Sequence, residues 1–247
     1  DYIHVVSSLK LLGPDDLDGV PVQVLAIPWI TRSGIVASLS MDSSSEENPQ
    51  ELIENSLSAW LNQTIADLDP SMPAILTAHA SIAGAKFGSE QSVKIGRDVV
   101  LPPGLVANPV LDYVALGHIH RFQDLNEGSH PPVVYPGSIE RVDFGENNEE
   151  KGFVLAEIEK GQTRYRWQKL PIRQFRDFSV TLDEMLGVNE KIFAELPPSE
   201  DLTDAIVRLT LIYPRDLETL IDEARIHAHF SQTFAFQLVK KHVSEAR

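Results

Sequence analysis

Tyr113-Val114-Ala115-Leu116-Gly117-His118-Ile119-His120 decides how the fold of this chain is read. Four apolar residues make a short buried strand, a glycine lets the backbone turn sharply, and two imidazoles two positions apart follow. Ala74-Ile75-Leu76-Thr77-Ala78 has the same character and ends at His79, and Val133-Val134-Tyr135 ends at Pro136-Gly137-Ser138. Strands that end in polar, glycine-containing loops, preceded by a helix, make an α/β arrangement. The strand ends are the usual place for a site.

Working outward, Tyr2 to Val6 and Val22 to Ile27 read as strands separated by a turn rich in Gly, Pro and Asp, Gly13 to Gly19. Ser40 to Asn48 is polar and acidic and is expected to be a mobile loop. A helix follows: Asn48 can cap it, Pro49 suits its first turn, and Glu51 completes an N-x-x-E capping box. Its apolar stripe is Ile53, Leu57, Trp60, Leu61, Ile65 and Leu68. Gly152 to Glu159 and Thr163 to Leu170 read as a hairpin around Lys160-Gly161.

After Pro171 the texture changes to a β-α-β unit. Strands are expected at Phe178 to Leu182, Ala205 to Tyr213 and Phe234 to Val239. Helices are expected near Asn189 to Glu195 and after Pro214, the latter with Leu217, Leu220, Ile221 and Ala224 on one face. Two domains are therefore expected, residues 1–170 and 171–247.

Composition narrows the chemistry. Of 247 residues, 43% are apolar and 23% charged, values of an ordinary globular protein. No apolar run reaches the length of a membrane span and no signal peptide opens the sequence. With no cysteine, disulfides and thiolate metal sites are excluded, so a metal must use His, Asp, Glu or Asn. The absence of disulfides fits the cytosol. A net charge of −15 argues against tight, unaided DNA binding through a basic surface. It does not argue against phosphoester chemistry, because divalent cations supply local positive charge. The chain opens at Asp1 rather than Met, which suggests a processed chain or a fragment.

Imidazole suits manganese, zinc or iron. His79, His118 and His120 each follow a strand signal. They read either as part of a two-metal site, in which a bridging hydroxide attacks phosphorus in line, or as hydrogen-bonded strand-end histidines. His227 and His229 form a second H-x-H, but at a helix end and without a glycine or a preceding strand. His4, His130 and His242 are isolated, as surface or half-buried residues are.

The segments Leu76-Thr77-Ala78-His79, Tyr113 to His120 and Tyr135-Pro136-Gly137-Ser138 resemble the calcineurin-like metallophosphoesterases. The longer run Val134 to Arg141, with Phe144-Gly145-Glu146 and Glu150-Lys151-Gly152-Phe153, narrows the resemblance to the SbcD-type nucleases of that superfamily. It implies a partial metallophosphoesterase α/β sandwich followed by a small β-α-β capping domain. It also implies that His79 and His118 ligate one ion and His120 a second. The ions would be manganese, the substrate DNA ends and hairpins, and the partner an SbcC-type ATPase. A G-K-[ST] loop for ATP is absent from this chain. The family's D-x-H, G-D-x-x-D and G-N-H-D motifs, which supply carboxylate and amide ligands, are absent too. The implied reading is a C-terminal part, inactive alone, of a protein whose homodimer forms through its N-terminal half.

Arg121, Ser138 and Arg141 flank these strand ends and are candidates for DNA-backbone contact. Lys86, Lys94 and Arg97 lie in a glycine-containing segment that could face DNA or simply be exposed. Two other functions fit the same residues: a phosphatase or small-molecule phosphodiesterase, and a non-catalytic adaptor that keeps the fold.

Overall fold

The computed structural model describes residues 3–29, 49–88 and 100–243. The chain divides into two compact units, residues 1–139 with 150–170, and residues 140–149 with 171–247.

The first unit is built on a six-stranded sheet. In chain order its parts are β1 (Lys10–Leu12), β2 (Gln23–Ile27), helix α1 (Pro49–Ala66) and β3 (Ala74–His79). The short strands β4 (Ser81–Ile82) and β5 (Val100–Leu101) and the single helical turn α2 (Pro103–Val106) come next. Then follow β6 (Tyr113–Gly117), β7 (Gln123–Asp124), β8 (Val133–Tyr135) and the pair β9 (Gly152–Glu159) and β10 (Gln162–Lys169). The sheet order is β1-β2-β3-β6-β8-β7, and β4-β5 and β9-β10 form two small sheets of their own. Strands β2, β3, β6 and β8 run parallel, and β1 and β7 close the edges antiparallel. Parallel strands covered on both faces carry continuous apolar runs, which is why A-I-L-T-A and Y-V-A-L lack polar alternation. The four parallel strands end on one side of the sheet, and that geometry collects His79, Gly117-His118 and Pro136-Gly137-Ser138 along one rim.

Helix α1 buries Ile53, Leu57 and Leu61 against Leu25, Leu76 and Val114, with Trp60, Ile65 and Leu68 at the margin. Its stripe is the one read from the sequence as far as Ile65, Leu68 lying just beyond the helix end; Asn48, the expected cap, lies outside the described residues, as do Ser40 to Asn48 and Lys94 and Arg97. The entrance to β6 is locked by Asp112, which is buried. Its carboxylate accepts from the Ala74 amide at 2.7 Å, the Gly161 amide at 2.6 Å and the Lys160 ammonium at 3.1 Å. The expected hairpin forms around Lys160-Gly161, and its second strand, β10, alternates between exposed and half-buried residues. Its inward Thr163, Tyr165 and Trp167 bond to the Asp112 carbonyl, the Asp124 carboxylate and the Pro136 carbonyl, each tied to a different stretch of the sheet.

One expected strand is absent. Residues 3–6 form none, and Ile3 and Val5 are 83% and 91% exposed. The partner of β2 is Lys10–Leu12, because a tight turn at Gly13 to Gly19 pairs β2 with the residues immediately before it. Tyr2 lies outside the described residues.

The second unit holds β11 (Phe175–Thr181), helix α3 (Val188–Ala194), β12 (Ile206–Tyr213), helix α4 (Glu223–His229) and β13 (Ala235–His242). Its three strands are all parallel in the order β11-β12-β13. Val207, Leu209, Leu211, Ile192 and Ile226 form its separate core. The expected helix after Pro214 is broken into a 3-10 segment, Arg215–Leu220, and α4. The break follows from Ile221, which is extended and buried, and from Asp222, whose side chain caps α4 by accepting from the Arg225 amide. Residues 140–149, expected in the first domain, belong to this unit: Phe144 packs edge-on against Phe175 at 5.1 Å and lies under the Arg208 guanidinium at 4.2 Å. No helix among the described residues is long and apolar enough to cross a membrane.

Candidate metal centre

Strand register brings His79 beside Gly117, so the two strand ends present His79 and His118 together. Their ring centroids are 5.1 Å apart at 68°. One ion held through metal–nitrogen bonds of about 2.0–2.1 Å can bridge two imidazoles at such a spacing. Gly117 is needed for this approach, because a Cβ there would lie 2.8 Å from His79 Nδ1. His118 has φ +102°, a conformation that L residues other than glycine rarely adopt. Such strain, of about 1–3 kcal/mol, persists only where the surroundings impose it, and it concentrates at functional sites.

His120 lies on the next stretch of the same loop and is half-buried. Its carbonyl accepts from the Ser138 amide at 3.1 Å and from the Lys151 ammonium at 3.0 Å. Gly137, at φ +80°, passes so close that a Cβ would sit 2.9 Å from the same oxygen. Behind His79, the Tyr135 hydroxyl donates to the Ala80 carbonyl at 2.6 Å, and burial pushes its phenol well above the usual tyrosine range. Among the described residues, no three His, Cys, Asp or Glu side chains converge on one point. The donor set present therefore fits one ion through two imidazoles, with further oxygen donors still required for a hard ion such as manganese.

Of the residues expected to touch a DNA backbone, Arg121 is exposed beside His120. Ser138 Oγ is buried and has no hydrogen-bond partner among the described residues. Arg141 is different. It belongs to the second unit, where its Nε and Nη groups donate to the carbonyls of Glu146, Glu149 and Arg173 at 2.9–3.1 Å. Its guanidinium ties the 140–149 segment to Arg173. Lys86 is exposed, and Gln123 bonds its amide and carbonyl from β7. His227 and His229 sit in packing, His227 edge-on to Phe236 at 5.3 Å and His229 bonded to the Pro197 carbonyl at 3.0 Å.

Trp29 was not foreseen. It follows β2 on the same rim, 43% exposed, with its ring 5.2 Å from His79 and 4.5 Å from His118. The available signal was its place two residues beyond Ile27, at the end of a third strand of the same sheet. Lys151 was also missed as a neighbour of the site, since its contact with His120 joins residues far apart in sequence.

No family model matches the chain. It is similar to the SbcD component of the SbcCD nuclease of Staphylococcus epidermidis, 27% identical over 215 residues, which cover 83% of this chain and 54% of that protein. Against the SbcD component of the Rhodobacter capsulatus SbcCD nuclease the identity is 31% over 177 residues, 64% of this chain and 42% of that protein. The uncharacterized metallophosphoesterase YhaO of Bacillus subtilis is 29% identical over 118 residues, 48% of this chain and 26% of that protein. The chain thus spans about half the length of the first two relatives. With its α/β fold and these matches, the chain is similar to the SbcD-type metallophosphoesterases.

Proposed function

We propose that this chain is part of a metal-dependent DNA nuclease in which His79 and His118 hold one divalent ion and His120 a second, the ions being manganese. The observation that carries this reading is the meeting of His79 and His118 at the ends of adjacent parallel strands, with His118 held at φ +102°. The similarity to SbcD supports a nuclease and an SbcC-type partner; DNA ends and hairpins as substrate, a role in repair and recombination, a cytoplasmic location and the ATPase nature of the partner belong to the same proposal. Bound divalent ions supply a water of lowered pKa and positive charge on phosphate oxygens. The residues of this chain hold and orient. In this reading His79 and His118 present imidazoles from adjacent strand ends, and Ser138 and Arg121 steady a phosphate. Because the chain carries a net charge of −15, most of the grip on DNA falls to the ATPase.

No D-x-H, G-D-x-x-D or G-N-H-D motif occurs in these residues, so this polypeptide alone is expected to leave a DNA hairpin uncleaved in manganese. It is nevertheless expected to bind the ion. Titrated manganese should broaden the ring NMR signals of His79 and His118 before those of His4, His130 and His242. H79A and H118A should each weaken binding by about tenfold or more. Hairpin cleavage by this chain, or manganese affinity unchanged in both variants, would overturn the proposal.

A further inference from the structure

Lys151 is fully buried, and lysines are rarely so unless a partner holds the charge. Its ammonium donates to the His120 carbonyl at 3.0 Å. That oxygen also accepts from the Ser138 amide at 3.1 Å and is crowded by Gly137. The lysine itself is anchored at the start of hairpin β9–β10: its carbonyl accepts from the Leu170 amide at 2.9 Å, and Gly152 beside it has no room for a side chain under Trp167. Trp167 in turn donates from Nε1 to the Pro136 carbonyl at 3.1 Å, on the loop that carries Gly137 and Ser138. The hairpin thus reaches His120 directly through Lys151, and the adjoining Pro136-Gly137-Ser138 loop through Trp167.

We propose that Lys151 is the positioning residue of His120: its buried ammonium fixes the His120–Arg121 peptide plane and, through it, the direction of the His120 imidazole. A charged donor makes a shorter and stronger hydrogen bond than a neutral one, and holding the carbonyl at its oxygen restrains the His120 ψ torsion and so the direction in which its Cα–Cβ bond leaves the backbone. The functional meaning rests on the proposed metal role of His120, but the geometry does not need metal to be tested. In metal-free protein, K151M is expected to shift and split the His120 ring signals and the Arg121 amide signal. The ring signals of His79 and His118 should stay in place. K151Q keeps an N–H at the tip of the side chain and should restore part of the shift. His120 and Arg121 signals unchanged in K151M, or equal displacement of all three histidines, would sink the idea. If K151M does not fold, K151Q against the unaltered chain is judged by the same local criterion. Failure of the metal reading would show separately, as unaltered protein whose histidine signals manganese leaves sharp.

Discussion

A methyl group on Gly117 would meet a side chain, whereas one on Gly137 would meet backbone, and that difference separates their consequences. The Gly117 Cβ would lie 2.8 Å from His79 Nδ1, the end of a ring on an exposed residue that can rotate away. G117A is therefore expected to change stability by no more than about 1 kcal/mol while separating His79 from His118. A weakened contact between the two rings in NMR, with an almost unmoved urea midpoint, is the outcome to look for. At Gly137 the Cβ would face His120 O at 2.9 Å and Phe122 N at 3.0 Å, with φ at +80°. Neither atom can yield without moving the loop, so G137A should cost about 1–3 kcal/mol in urea unfolding. A G137A midpoint equal to that of the unaltered chain would mean that this turn does not hold the loop. The role of Pro136-Gly137-Ser138 is thus physical: only glycine lets one strand end brace the other.

At the scale of elements, β11 and β12 place Asp177 directly opposite Arg208, and their side chains pair. The hydrogen bond from Arg208 holds the Asp177 carboxyl below its usual value, against the opposing effect of burial. A carboxyl depressed in the folded state stabilises at pH above its unfolded value, 3.8, and loses that contribution as pH falls through the folded value. Unfolding of the second unit should therefore ease below pH about 4, and D177N should flatten that acid limb by modestly lowering stability at pH 7, where the pair contributes, with little effect at low pH. Equal acid sensitivity in D177N and the unaltered chain would remove the pair from the account. The elements themselves were largely legible in sequence where one signal dominated. The apolar runs of β3, β6 and β8, the stripe of α1 and the Lys160-Gly161 hairpin each stand where periodicity put them. Legibility failed where tertiary partners decide. Ile3 and Val5 have strand propensity but no partner strand, and the stretch after Pro214 has helical periodicity but a buried, extended Ile221 within it. At the site, histidine positions and strand ends could be read in advance. The Trp29 neighbourhood and the reach of Lys151 could not, because both depend on which strands lie side by side.

For the whole molecule, the decisive fact is that the two units have separate cores. Leu25, Leu57, Leu76 and Val114 belong to one, and Val207, Leu209, Leu211 and Ile226 to the other. The chain passes between them near residues 139, 149 and 170, yet each sheet completes its hydrogen bonding within its own unit. Cooperativity follows shared packing rather than shared chain, so each core should melt as its own transition. Leu57 and Leu209, exposed by 1% and 0%, report on the two cores. Replacing either by alanine removes apolar contact and leaves a cavity, at a cost of about 2–5 kcal/mol. In calorimetry L57A is expected to lower one transition and leave the other, and L209A to do the reverse. A single transition lowered equally by both variants would show the units to be one cooperative body. Separate transitions would have a functional meaning as well. The rim of His79, His118 and His120 would then owe its rigidity to the first unit alone, through β3, β6 and the hairpin that supports them.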